Sequence, residues 1–206
     1  MRELVAILYH PREAMRRILD SGRGRWTPLV VVIAFLCSSV GELDRRAVHI
    51  DGIPLPLMIA AGALFGALIW LLLVYLLAWV VTVLGRLFEG TGTVRETAAA
   101  IAYGLVPIIW TVILRLPAAM YIRSLNLNAT SGREMIMEFV HRGGCLIAVL
   151  AFGLKLFIDA WVVVVMSNTV GEALRFSSLR GFAVLAISAG LPLMIMAAAL
   201  LAVRMS

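Results

Sequence analysis

Lysine is almost missing from this chain: among 206 residues Lys155 is the only one, and every other fixed cation is an arginine. Charge of either sign is scarce, at 15% of residues. It is absent altogether from Leu57 to Gly85, where the chain reads LMIAAGALFGALIWLLLVYLLAWVVTVLG. About 20 helical residues, rising about 1.5 Å each, cross a bilayer core of about 30 Å. This run is longer, so it must tilt or leave part of itself in the interface. A soluble domain this small has no means of burying such a segment on all sides, which makes the chain an integral membrane protein.

Other absences narrow the chemistry. The two cysteines, Cys37 and Cys145, lie in or beside apolar runs with no CxxC and no Cys/His spacing, and read as small buried apolar residues. His10, His49 and His141 stand in three separate segments, so no metal site is expected, nor any other cofactor. There is no GxSxG, no HExxH and no pair of carboxylates within a span, and the chain is expected not to be an enzyme. The N-terminal MRELVAILYHPREAMRRILD is too charged, and its apolar stretch too short, for a cleavable signal peptide. The C-terminal LLAVRMS has no lipidation or retrieval signal. The first span is then its own insertion signal.

What is present is apolar: 62% of residues, with a mean hydropathy of +1.00. This length permits four to six spans at roughly 30–40 residues each, loop included. The net charge of +6 would point a soluble protein toward nucleic acid. Here the arginines flank apolar runs, so the expected partner is a lipid bilayer with anionic headgroups and not nucleic acid.

The hydropathy pattern predicts an all-α polytopic membrane bundle. Five transmembrane helices run over about 26–40, 56–87, 97–116, 144–167 and 179–203, preceded by a cytoplasmic arm, 1–25. In the arm, Leu4, Ile7, Leu8, Met15, Ile18 and Leu19 recur at helical spacing, with Arg12, Glu13 and Arg16 on the other side and Pro11 dividing the stretch. An amphipathic, arginine-rich helix of this kind should lie in the membrane plane, or else dock a soluble partner. Pro107 and Pro192 should kink spans three and five. Six arginines precede span one, and the arm together with the loops after spans two and four carries ten of them against seven elsewhere. That places the N-terminus in the cytoplasm and, after an odd number of spans, the C-terminus outside. The loop 117–143 is expected to form an outer-surface amphipathic helix, and contains the glycosylation-type triplet Asn128–Thr130.

Few residues stand out as chemistry. Lys155 and Asp159 lie four apart inside span four and share one helix face. Charges at bilayer depth usually face the bundle interior and pair. The two form either a self-neutralising structural pair or part of an ion relay. Gly62 and Gly66 make a small-xxx-small face for a neighbouring helix of this chain or of another, so a homo-oligomer or a membrane-protein partner is possible. Gly90 and Gly92 make a tight loop, and Thr93 with Glu96 three residues on has capping-box spacing. That Gly-x-Gly follows no strand and lacks a third glycine, which rules out a nucleotide loop. Arg95 and Glu96, at a membrane entrance, are the remaining polar candidates, against simple interfacial solvation.

Three stretches carry a family resemblance. Tyr9–Met15 (YHPREAM), Gly90–Thr97 (GTGTVRET) with Ala102–Pro107 (AYGLVP), and Asp159–Trp161 (DAW) with Gly171–Ala173 (GEA) and Phe176–Arg180 (FSSLR) occur in this order. The chain so resembles the Yip-one family, the Ypt/Rab-interacting-protein domain of five membrane helices, in its prokaryotic form. Within the resemblance Gly90, Gly92, Arg95 and Glu96 belong to the family's glycine loop, and Tyr103 and Pro107 to its third span. Eukaryotic relatives act in vesicle traffic and contact prenylated Rab-type GTPases. This chain lacks their long soluble N-terminal region, which counts against a Rab-type GTPase here. The resemblance implies a bacterial cytoplasmic (inner) membrane protein. Its expected role is membrane-organising or scaffolding, with a small transporter or lipid-handling protein using Lys155 and Asp159 as the alternative.

Overall fold

Pro11 starts a helix because its fixed φ suits the first helical turn and its missing N–H is not needed there. In the computed structural model, which describes residues 2–39, 54–110, 112 and 144–190, this gives two short helices. They are α1, Arg2–Tyr9, and α2, Pro11–Asp20, hinged at His10. A 3-10 turn, Arg23–Trp26, leads into α3, Thr27–Ser39. The long uncharged run is α4, Leu55–Leu87. Next come α5, Val94–Gly104, α6, Gly144–Ala173, and α7, Ser178–Gly190. No strand occurs among the described residues.

Two helices among the described residues, Pro56–Leu87 and Phe152–Ala173, are long and apolar enough to cross a membrane. In the most apolar 18-residue stretch of each, only 28% and 22% of the residues are buried inside the protein, the reverse of a soluble core helix. Leu64, Phe65, Leu72 and Trp79 of α4 all point outward. The 33 residues of α4 extend about 50 Å, well beyond a hydrocarbon core. The other three expected spans are described only in part, as α3, α5 and α7. The helix that holds the fourth expected span, α6, continues past residue 167 to Ala173, through the polar Asn168 and Thr169. The loop 117–143, His49, His141, Pro192 and the C-terminus lie outside the described residues.

The arm departs from expectation. Ile7, Met15 and Ile18 are at most 1% exposed, and Leu4, Leu8 and Leu19 pack against the same core. The apolar side of the arm is therefore covered by the protein's own helices, mainly α6, rather than left free for the lipid interface. Sequence periodicity finds an apolar face but does not say what covers it.

At the centre stands α5. Every residue from Thr97 to Gly104 is buried. Its side chains there are mostly alanine, which lets α3, α4 and α6 approach closely. At Gly104 an added Cβ would come within 3.0 Å of the Met166 backbone. Buried hydroxyls set the register. Thr82 of α4 and Thr97 of α5 lie 2.9 Å apart, and Thr169 of α6 donates to the Ala100 carbonyl at 2.9 Å. Beyond α5 the chain turns at Leu105 and resumes as helix over 106–110, with Pro107 in the first turn after the break.

Candidate functional site

At the end of the molecule where α5 begins and α6 stops, three distant stretches of chain meet. Glu172, in the last turn of α6, has a side chain only 11% exposed. It accepts from Arg16 Nε at 2.7 Å through one oxygen and from Arg12 Nε at 3.2 Å through the other. Arg12 Nη2 also donates to the Phe176 carbonyl at 2.8 Å, just past the end of that helix. One carboxylate thus holds two arginines that sit on successive turns of α2. The bond to Glu172, together with that carboxylate's charge, raises Arg16 above the ordinary guanidinium range, so it stays cationic at any working pH.

The glycine loop is the second stretch. After α4 the Gly90 N–H bonds back to the Gly85 carbonyl at 2.9 Å, closing the helix. A Cβ on Gly90 would lie 2.7 Å from the Phe176 ring, and one on Gly92 would run into the Ala173 carbonyl. These glycines are needed for space: they let the loop lie on the end of α6. The loop then caps α5. The Thr93 N–H and hydroxyl both donate to Glu96 Oε2, at 2.7 and 2.8 Å, and the Glu96 N–H donates to Thr93 Oγ1 at 3.3 Å. The capping box read from the spacing is present, so the Glu96 carboxylate is occupied. Arg95 is exposed at the rim of a hollow of about 300 Å³ shared with Gly22, Gly24 and Thr93.

The third stretch is the turn from α6 to α7. Phe176 N–H bonds to the Gly171 carbonyl at 2.6 Å, and Arg175 stands in the left-handed region at φ +62°. Glu89, at the end of α4, does the same at φ +66°. Both helices of this end stop on a charged residue in a conformation that favours glycine.

The profile of the Yip1 domain matches residues 5–201. The chain belongs to the Yip1 domain family. It is a membrane protein of that family, in keeping with its two outward-facing apolar helices. No curated protein and no solved structure matches the chain. Four of the stretches that carried the sequence resemblance converge here, those around Arg12, Gly90, Glu172 and Phe176. Arg12 of the arm meets Glu172 of the GEA stretch, and Gly90 meets Phe176.

Elsewhere in the Yip1 domain the other singled-out residues lie apart from this site. Tyr103 is 5% exposed and Pro107 is buried, both in the packing of the central helix. Lys155 and Asp159 pair with each other, but their side chains are 56% and 52% exposed, so among the described residues they face outward and not into the bundle. A Cβ on Gly66 would meet the ring of Phe35 on α3, whereas Gly62 has nothing within 4 Å among the described residues. No three His, Cys, Asp or Glu side chains come together among the described residues. Sequence reasoning passed over Glu172 as the hub and the three buried threonines as register pins. The signal for Glu172 was there: it is the one acidic residue in the polar tail of a helix whose only other charges are Lys155 and Asp159.

Proposed function

We propose that this protein is a non-enzymatic, membrane-organising scaffold whose partner-binding face is the arginine-rich end of the bundle. The observation that carries this reading is the Glu172 clamp. Arm, glycine loop and the turn after α6 make one polar face from three remote parts of the chain. Two of its carboxylates are committed to structure, Glu96 to the cap and Glu172 to two arginines. Such a face suits recognition better than acid–base chemistry. The reading includes a five-span bundle in a bacterial inner membrane, with this face in the cytoplasm, as the arginine distribution favours. The transporter alternative lacks similar support, because Lys155 and Asp159 line no interior path among the described residues.

The test is affinity purification of the full chain from native membranes in mild detergent, with crosslinking. One stoichiometric protein partner, or a stable homo-oligomer, is the expected result. Isolation as a monomer alone, with substrate flux above that of empty liposomes after reconstitution, would overturn the reading.

A further inference from the structure

Between the arm, the start of α5 and the end of α6 lies a cleft of about 420 Å³, lined by Arg12, Arg16, Leu19, Asp20, Glu96, Glu172, Ala173 and Arg175. Its charges are unevenly used. Glu172 is held by two guanidiniums, and Glu96 by the α5 cap. Arg16 spends only Nε on Glu172, and its two Nη groups have no partner among the described residues. Arg12 keeps one Nη unused. Arg175 makes no ion pair or side-chain hydrogen bond among the described residues, although its backbone stands in the strained left-handed region. A strained position occupied by a charged residue, where glycine costs nothing, is accounted for if the side chain is needed.

We propose that this cleft binds a phosphate-bearing anion through the free guanidinium faces of Arg12, Arg16 and Arg175. Planar guanidiniums supply paired N–H donors that match phosphate oxygens. The same chemistry serves a phosphomonoester lipid headgroup and free phosphate. The lipid source rests on the membrane placement proposed above, while the free-phosphate source does not. Neither depends on a protein partner being found. Bound there, the anion would tie α2 to the turn after α6, adding to the grip of Glu172. Asp20, whose charge also acts on Arg16, is the one acidic side chain of the cleft with no hydrogen bond or ion pair among the described residues, and it opposes the anion.

The full-length protein is placed in nanodiscs of phosphatidylcholine alone, and in nanodiscs that also contain phosphatidic acid. Inorganic phosphate is titrated into the first set. Thermal unfolding reports the stabilisation. In the wild type, phosphatidic acid or phosphate raises the midpoint. Arg16→Gln and Arg175→Gly each weaken the response about tenfold, the loss of about one charge-assisted contact, and Asp20→Asn strengthens it. Arg175→Gly removes the guanidinium while relieving the backbone, so a folding defect is not a way out. Arg86→Gln removes an equal charge from the last turn of α4, outside the cleft, and should leave the response nearly unchanged. A response to phosphatidic acid alone assigns the headgroup, and a response to phosphate assigns the free ion. If Arg86→Gln matches Arg175→Gly, the attraction is diffuse and the site is overturned. Absence of any response in both arms overturns it equally.

Discussion

Gly62 and Gly66 sit one turn apart on α4, yet among the described residues only Gly66 lies against a neighbour, the ring of Phe35. The two substitutions should therefore separate. Gly66→Leu forces α3 away and should cost about 1–3 kcal/mol, as overpacking does, seen as a lower unfolding midpoint in detergent. Gly62→Leu should leave the monomer's midpoint unchanged. If it alters the oligomer seen by crosslinking, the open face of Gly62 belongs to a second copy. Left-handed Glu89 behaves in the opposite sense. Glu89→Gly should raise stability by roughly 1 kcal/mol through relief of the positive φ, read from the same unfolding curve.

At the scale of elements, the arm is the informative piece. Its apolar stripe is visible in the sequence, and so is its cationic side. What it docks on is not, because Glu172 lies 160 positions from Arg12 and no local pattern links them. Glu172→Ala should leave two arginines without their carboxylate and loosen the arm. Limited proteolysis should then cut sooner around Gly22, the left-handed turn between α2 and the 3-10 segment, while α4 stays protected. Unchanged cleavage kinetics would show that Met15 and Ile18 hold the arm without the ion pair. The helix cap is an element whose logic is local, and here spacing sufficed. Thr93→Ala should cost about 1 kcal/mol, measured by unfolding, and should act through α5, whose buried residues every neighbouring helix touches.

For the whole molecule, the question is how helices of such different burial share one bilayer. α4 turns Leu64, Phe65, Leu68 and Leu72 outward, as a lipid-facing helix does. From Thr97 on, α5 is buried all round and rich in alanine. It reads as the post on which the others stand, something its modest apolar character conceals. The outward-facing pair on α6 bears on the same question. Replacing Asp159 alone should strand Lys155 and lower the yield of folded protein. Replacing both by leucine should restore that yield if the pair is structural. A double variant that folds but fails to support the protein's cellular role would assign the pair to function. Topology is tested by reporter fusions after the arm and after each expected loop. A cytoplasmic reporter signal at Glu89 and Arg175 together is expected, since both helix ends form one face.

Composition and hydropathy by themselves determined that this is a helical membrane protein, because an uncharged run of this length has no other stable surroundings. Spacing alone determined the α5 cap and the break near Pro107, since both depend on residues within one turn of each other. The tertiary structure decided that the arm packs on the protein and, among the described residues, that Gly66 and not Gly62 meets a neighbour and that Lys155 and Asp159 face outward. It also decided that Arg12, Arg16, the glycine loop and Glu172 form one site. Those outcomes depend on which helix faces meet, and contacts between remote segments leave no periodic trace in the chain.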